Sequence, residues 1–180
     1  MRFARFLLVM ASPALASMLK PFDTKIDPLK CMGTWYVQRA IPAVAALEKG
    51  AHNGCEVYEW DADKERIDVT YTFNAGGFDG ALRTVTQYGW IAEDNALGTS
   101  WKVRPKVGPV AIPVKLPFTI IDVDASDYSY LSCSGGLNSW MYIMTRERQP
   151  DPALIARLER SVAGLGFDMS KVLAIPHEGK

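Results

Sequence analysis

Cys31-Met-Gly33-Thr-Trp35-Tyr36-Val37-Gln-Arg39 follows an apolar N-terminal leader, and its counterpart, Trp140-Met-Tyr142-Ile-Met144-Thr-Arg146, lies near the other end of the chain. A glycine lets the backbone turn tightly, the tryptophan two residues on can plug one end of a closed sheet, and an arginine can lie flat on that indole. The two stretches read as the first and last strands of one barrel. Gly33, Trp35 and Arg146 are its expected anchors.

Between them the sequence is a succession of short β-rich runs separated by turn residues, the pattern of an all-β sandwich or barrel. In Arg66-Ile67-Asp68-Val69-Thr70-Tyr71-Thr72-Phe73 the apolar residues fall on odd positions and the polar ones on even positions, so one face is dry and one is wet. Further strands are read at 55–60, 82–91, 100–104, 118–124, 128–133 and 140–146, with turns at Asp61-Ala-Asp63, Gly76-Gly77, Glu93-Asp-Asn95 and Gly135-Gly136. Phe118 to Asp124 is apolar on both faces and is expected to be covered on both. Eight antiparallel strands in sequence suit an up-and-down barrel wide enough for one small ligand.

After Arg146 the period changes. Asp151-Pro152 supplies an N-cap and a first-turn proline, and Leu154, Ile155, Leu158 and Val162 recur at helical spacing until Gly164. One helix therefore packs on the barrel wall, followed by a short final strand at 172–175 that Pro176 closes.

At 180 residues the chain fits one domain, with 48% apolar and 22% charged residues. Lys plus Arg and Asp plus Glu are 20 each, so there is no electrostatic footprint for nucleic acid. Arg2 and Arg5 before Phe6-Leu-Leu-Val-Met-Ala11, with Ala14-Leu-Ala16 as a cleavage site, read residues 1–16 as a signal peptide and 17–180 as the domain. The apolar run is short of the roughly 20 residues needed to span a bilayer. The expected location is secreted or extracytoplasmic, or, in an alga, the plastid or thylakoid lumen.

Three widely spaced cysteines, Cys31, Cys55 and Cys133, and two histidines, His52 and His177, give no metal or redox motif, and no cofactor is expected. An oxidising compartment favours one disulfide, with Cys133 paired to Cys55 first or to Cys31. No Gly-x-Ser-x-Gly, His-Glu-x-x-His, phosphate loop or dinucleotide fingerprint is present, so no catalytic residue is assigned.

The order of eight strands, helix and short strand, with the anchors Gly33-x-Trp35, Ser126-Asp127-Tyr128 and Arg146, resembles the lipocalin family. Gly33-Thr-Trp35-Tyr36, Glu48-Lys-Gly50, Met141 to Arg146 and Leu165-Gly166-Phe167-Asp168 are similar to blocks of its bacterial lipocalin and apolipoprotein D subgroup. The resemblance covers roughly residues 27–176 and implies a barrel closed around Trp35 and open at the far end. It implies a monomer or weak dimer that binds and carries or stores a fatty acid, lysolipid, sterol, carotenoid or similar molecule.

The alternation places Val57, Val69, Tyr71, Trp101, Phe118, Ile120, Tyr130, Tyr142 and Met144 inward as ligand-binding candidates. Two apolar loops, 40–47 and 107–116, rim the open mouth, because odd-to-even connections of an up-and-down barrel share one end. Such a patch suits a membrane or lipid-particle surface. The alternative functions are a lipocalin-fold enzyme acting on a lipid or pigment such as a carotenoid epoxide, and a ligand-free partner-binding module.

Overall fold

The computed structural model describes residues 22–42, 48–94, 96–107, 110–135 and 139–178, so the expected signal peptide and most of loop 40–47 lie outside the described residues. The barrel strands are β1 (Gly33–Ile41), β2 (Ala51–Asp61), β3 (Arg66–Ala75), β4 (Ala81–Ile91), β5 (Ser100–Val107), β7 (Leu116–Val123), β8 (Tyr130–Gly135) and β9 (Trp140–Thr145). Each pairs antiparallel with the next, and β9 pairs back onto β1, closing an eight-stranded barrel. The two-residue β6 (Val110–Ala111) folds back on β5, and β10 (Leu173–Ala174) adds to β1. Sequence reading did not separate β6, which is too short to show an alternation.

The odd residues of β3 fill the barrel: Ile67, Val69, Tyr71 and Phe73 are all at most 5% exposed. On β4 the side carrying Leu82, Thr84, Thr86, Tyr88 and Trp90 is the outer one, and Val85 and Ile91 pack inward. Arg66 lies 3.7 Å from the Tyr88 ring and Lys115 3.9 Å from the Trp90 ring, so the outer aromatics are covered by cations.

Helix α1 (Pro152–Gly164) starts where Asp151 accepts from the Ala153 N–H at 2.8 Å. Its buried residues Ile155, Leu158 and Val162 form the inner stripe, and Leu158 and Val162 meet Ile41, Ile121, Met141 and Ile143 from the barrel's outer face in a second core. That contact explains why β7 is apolar on both faces. Arg39 and Glu159 form an ion pair between β1 and the helix.

The end around Trp35 is closed. Segment 22–32 crosses it, with Ile26 N–H bonded to Leu97 O, Phe22 N–H to Ile120 O, and Asp27 N–H donating to Tyr128 Oη at 2.8 Å. Trp35 is fully buried and donates from Nε1 to Cys31 O at 2.7 Å. The Arg146 guanidinium lies 3.5 Å over its ring and donates to the carbonyls of Thr34, Lys30, Met32 and Tyr128 at 2.8–3.2 Å. Gly33 has φ +97°, which favours glycine, and a Cβ there would sit 3.3 Å from Arg146 Nη1 and press on the guanidinium.

Of the expected anchor Ser126-Asp127-Tyr128, Tyr128 is buried at φ +54°, whereas Asp127 is exposed and its N–H caps a turn. The side chain that organises this turn is Asp124, which accepts from the Ser126 and Ser129 hydroxyls at 2.6 Å; these bonds hold its carboxyl well below the usual range.

All three cysteines are free. This corrects the expected disulfide through Cys133: the Cys133 side chain joins the barrel core with Cys31, while Cys55 is partly exposed between the inward residues Gly54 and Glu56, on the opposite side of the wall.

Replacing Arg146 by alanine leaves four carbonyls short of a donor and strips the indole of its cover. Urea unfolding should show a loss of about 2–3 kcal/mol, with the affinity of any ligand at the far end unchanged. Arg146→Lys, which cannot reproduce the fork, should recover less than half of that.

Candidate ligand-binding site

Opposite the Trp35 plug, the barrel holds a cavity of ≈160 Å³. Its wall is built from inward positions of six strands and the segment before β2. Tyr71, Phe118 and Tyr142, three of the nine candidates, line it. Trp140 joins them, and the rings run as a chain: Phe118–Trp140 5.8 Å, Trp140–Tyr142 5.7 Å and Tyr142–Tyr71 6.2 Å between centroids. Val85, Val103, Pro105 and Leu116 supply the aliphatic side.

Four other candidates are inward but belong to the packed core: Val69, Ile120, Met144 and Trp101. Trp101 stacks on Phe118 at 5.2 Å and 13°, and its Nε1 donates to Gly98 O at 2.8 Å.

Two candidates do not face inward. Cross-strand partners share a face of the sheet, and the register Glu56↔Tyr71, Tyr58↔Val69 puts Glu56 and Tyr58 inside and Val57 outside. A register shift between His52 and Cys55 accompanies this placement. On β8, Leu131↔Met144 are the inward pair, so Tyr130 faces out, where Arg157 of α1 lies 4.7 Å over its ring.

Beyond Val85, Val103, Pro105, Leu116 and Trp140, the candidate set lacks three polar lining residues. Glu48, Glu56 and Gln87 line the cavity, although inward positions were sought by apolarity. Glu48 is 7% exposed and accepts from Tyr142 Oη at 2.7 Å; Glu56 is 4% exposed and accepts from Tyr58 Oη at 2.6 Å. Burial pushes the Glu56 carboxyl up to about 7, against the hydrogen bond from Tyr58, and Glu48 adds to the rise. The Tyr71 hydroxyl is buried with no partner, beside Gly54, where a Cβ would lie 3.3 Å from it. The pairing of β2 with the clean alternation of β3 is the signal that could have found Glu56.

Burial also raises the thiols, Cys31 to about 12 and Cys133 well above its ordinary value, so neither is a thiolate at neutral pH.

Because the folded-state pKa of Glu56 is raised, the native protein holds this proton more tightly than the unfolded chain does. Its contribution to stability is full below the unfolded value near 4.5 and is lost as pH rises through about 7. Glu56→Gln should flatten the pH dependence of unfolding between those limits and leave the variant more stable than wild type at pH 8, by up to roughly 3 kcal/mol in denaturant titrations.

The model of the lipocalin-like domain family matches residues 26–177. No curated protein sequence matches significantly. Among solved structures, lobster apocrustacyanin A1 shares 13% identity over 84% of this chain and 79% of its own, with a TM-score of 0.60. Per a 4, a major allergen from cockroaches, shares 16% over 89% of this chain and 94% of its own, with a TM-score of 0.62. The siderocalin Ex-FABP, described as functioning through dual ligand specificities, shares 12% over 83% and 96%, with a TM-score of 0.57. At these identities the structural likeness speaks for the fold alone, while the family match spans nearly the whole described chain: this protein belongs to the lipocalin family.

Proposed function

We propose that the protein binds and carries or stores one small hydrophobic molecule in the open half of its barrel. The observation that carries this reading is the aromatic-walled cavity at the end opposite the Trp35 plug. Its ≈160 Å³ is close to the roughly 150 Å³ of an engineered apolar cavity that accepts benzene. A fatty acid, lysolipid, sterol or carotenoid would therefore place only one end inside and leave the remainder at the mouth. Thiolate chemistry at Cys31 and Cys133 is disfavoured, because burial holds both thiols protonated.

The mouth itself is apolar. Phe78, Leu82, Val110, Val114 and Leu116, 37–67% exposed, lie on the strand ends and connections at the open end. This patch supports contact with a lipid surface from which ligand is taken up or to which it is delivered. No helix among the described residues is long and apolar enough to cross a membrane, so contact would be by the rim. A leader on residues 1–16 and a secreted or extracytoplasmic location are part of the same proposal.

Two measurements test this. Naphthalene, titrated against tryptophan fluorescence, should bind at one site and lose at least about tenfold in affinity when Val85→Trp fills the cavity; binding that ignores this change places the probe elsewhere and ends the cavity reading. Val110→Ser with Val114→Ser should lower co-sedimentation with phosphatidylcholine vesicles while leaving the melting curve intact, and undiminished sedimentation would remove the rim from the proposal.

A further inference from the structure

The cavity lining is apolar except for Glu48, Glu56, Gln87 and the hydroxyls of Tyr71 and Tyr142, and it lacks a cation: none of the described lining residues is lysine, arginine or histidine. A carboxyl in such a place is costly when ionised, and the cost is relieved by a positive charge supplied from outside the chain. Glu56 is the group so placed. Among the described residues, one hydrogen bond, from Tyr58 Oη to its Oε2, reaches the carboxyl.

Two further observations point to the same ligand chemistry. The Tyr71 ring lines the cavity, the residue is 5% exposed, and its hydroxyl has no hydrogen-bond partner, which leaves an oxygen able to accept from an N–H. The linked rings of Phe118, Trp140, Tyr142 and Tyr71 add electron-rich faces that attract a cation. The cavity volume limits the enclosed body to about one or two rings.

We infer that the ligand of this calyx carries a basic amine on a ring-sized apolar body, with the ammonium held by the Glu56 carboxylate and Tyr71 and the ring lodged against Phe118, Trp140 and Tyr142. The inference rests on the cavity-binding reading above and narrows it. A carboxylate ligand would place a second negative charge beside Glu48 and Glu56 with no cation in the described lining. Fatty acids entering head first are therefore the poorest fit of the candidate ligands.

The groups facing Glu56 are Glu48, Tyr58, Tyr71, Tyr142 and Cys133. The three tyrosines and the thiol are all shifted upward by burial and stay neutral at physiological pH. Glu56 is raised to about 7, so amine affinity rises as pH increases from 5 to 8 and the carboxyl ionises.

The test uses the full chain and three probes of one shape: phenethylamine, propylbenzene and hydrocinnamate, with naphthalene as the control for an open cavity. Phenethylamine should bind at least about tenfold more tightly than propylbenzene at pH 8, with hydrocinnamate weakest. Glu56→Gln should erase the amine's advantage and its pH dependence while keeping propylbenzene binding. Tyr71→Phe, which removes an unsatisfied hydroxyl and keeps the ring, should fold as wild type and lose several-fold in amine affinity alone; it carries the test if Glu56→Gln does not fold. Propylbenzene equal to or tighter than the amine, or a preference for hydrocinnamate, overturns the inference and leaves the cavity reading standing. Failure of all four probes overturns both.

Discussion

One stacked pair holds this molecule closed. Arg146 stands at the end of the last barrel strand and Trp35 near the start of the first, and the guanidinium lies flat on the indole while its N–H groups reach the carbonyls of residues 30, 32, 34 and 128. Two of those carbonyls belong to the segment crossing the barrel end, one to the start of β1 and one to the turn before β8, where regular sheet partners run out, and backbone polar groups near a core need partners of some kind. The same side chain thus seals the plug, pins the lead-in and ties the last strand to the first. Gly33, at a left-handed φ and tight against Nη1, is the part of the sequence that makes room for it.

The barrel was legible because its strongest signals are repeated ones. The alternation of Ile67, Val69, Tyr71 and Phe73 fixes one strand's face outright, and the helical stripe of Ile155, Leu158 and Val162 fixes another element. The site was only partly legible because apolarity was taken as the mark of an inward position. That rule fails twice for physical reasons. Tyr130 is apolar enough for a core but is sheltered by Arg157 of the helix on the outer face. Val57 lies between Glu56 and Tyr58, and the β2–β3 register sends the glutamate inside. Pairing, rather than composition, decides which side of a sheet a residue takes. The cysteines teach the same lesson, since Cys55 and Cys133 are on opposite sides of one wall.

Once ionised, the buried Glu56 carboxylate costs the barrel stability, and the unpartnered Tyr71 hydroxyl beside Gly54 adds a second unfavourable group to the same interior. Departures from local consistency that are costly to folding concentrate at functional sites. The closed half of the barrel, around Trp35, Tyr58 and Trp101, shows the opposite character: the indole N–H groups of both tryptophans are bonded to carbonyls, and the Tyr58 hydroxyl to Glu56. Stability and recognition are divided along the barrel axis, with Glu56 at the boundary.

A plug at one end also means that entry and departure share a single door. For a ligand held wholly inside the cavity, anything that narrows or lubricates the rim at Val110 and Val114 must alter both rates by the same factor, because forward and reverse passage cross the same barrier. The rim can therefore set residence time without touching equilibrium affinity, which belongs to the groups deeper in. How long a cargo stays and how tightly it is held are separate properties in this vessel, written into different residues.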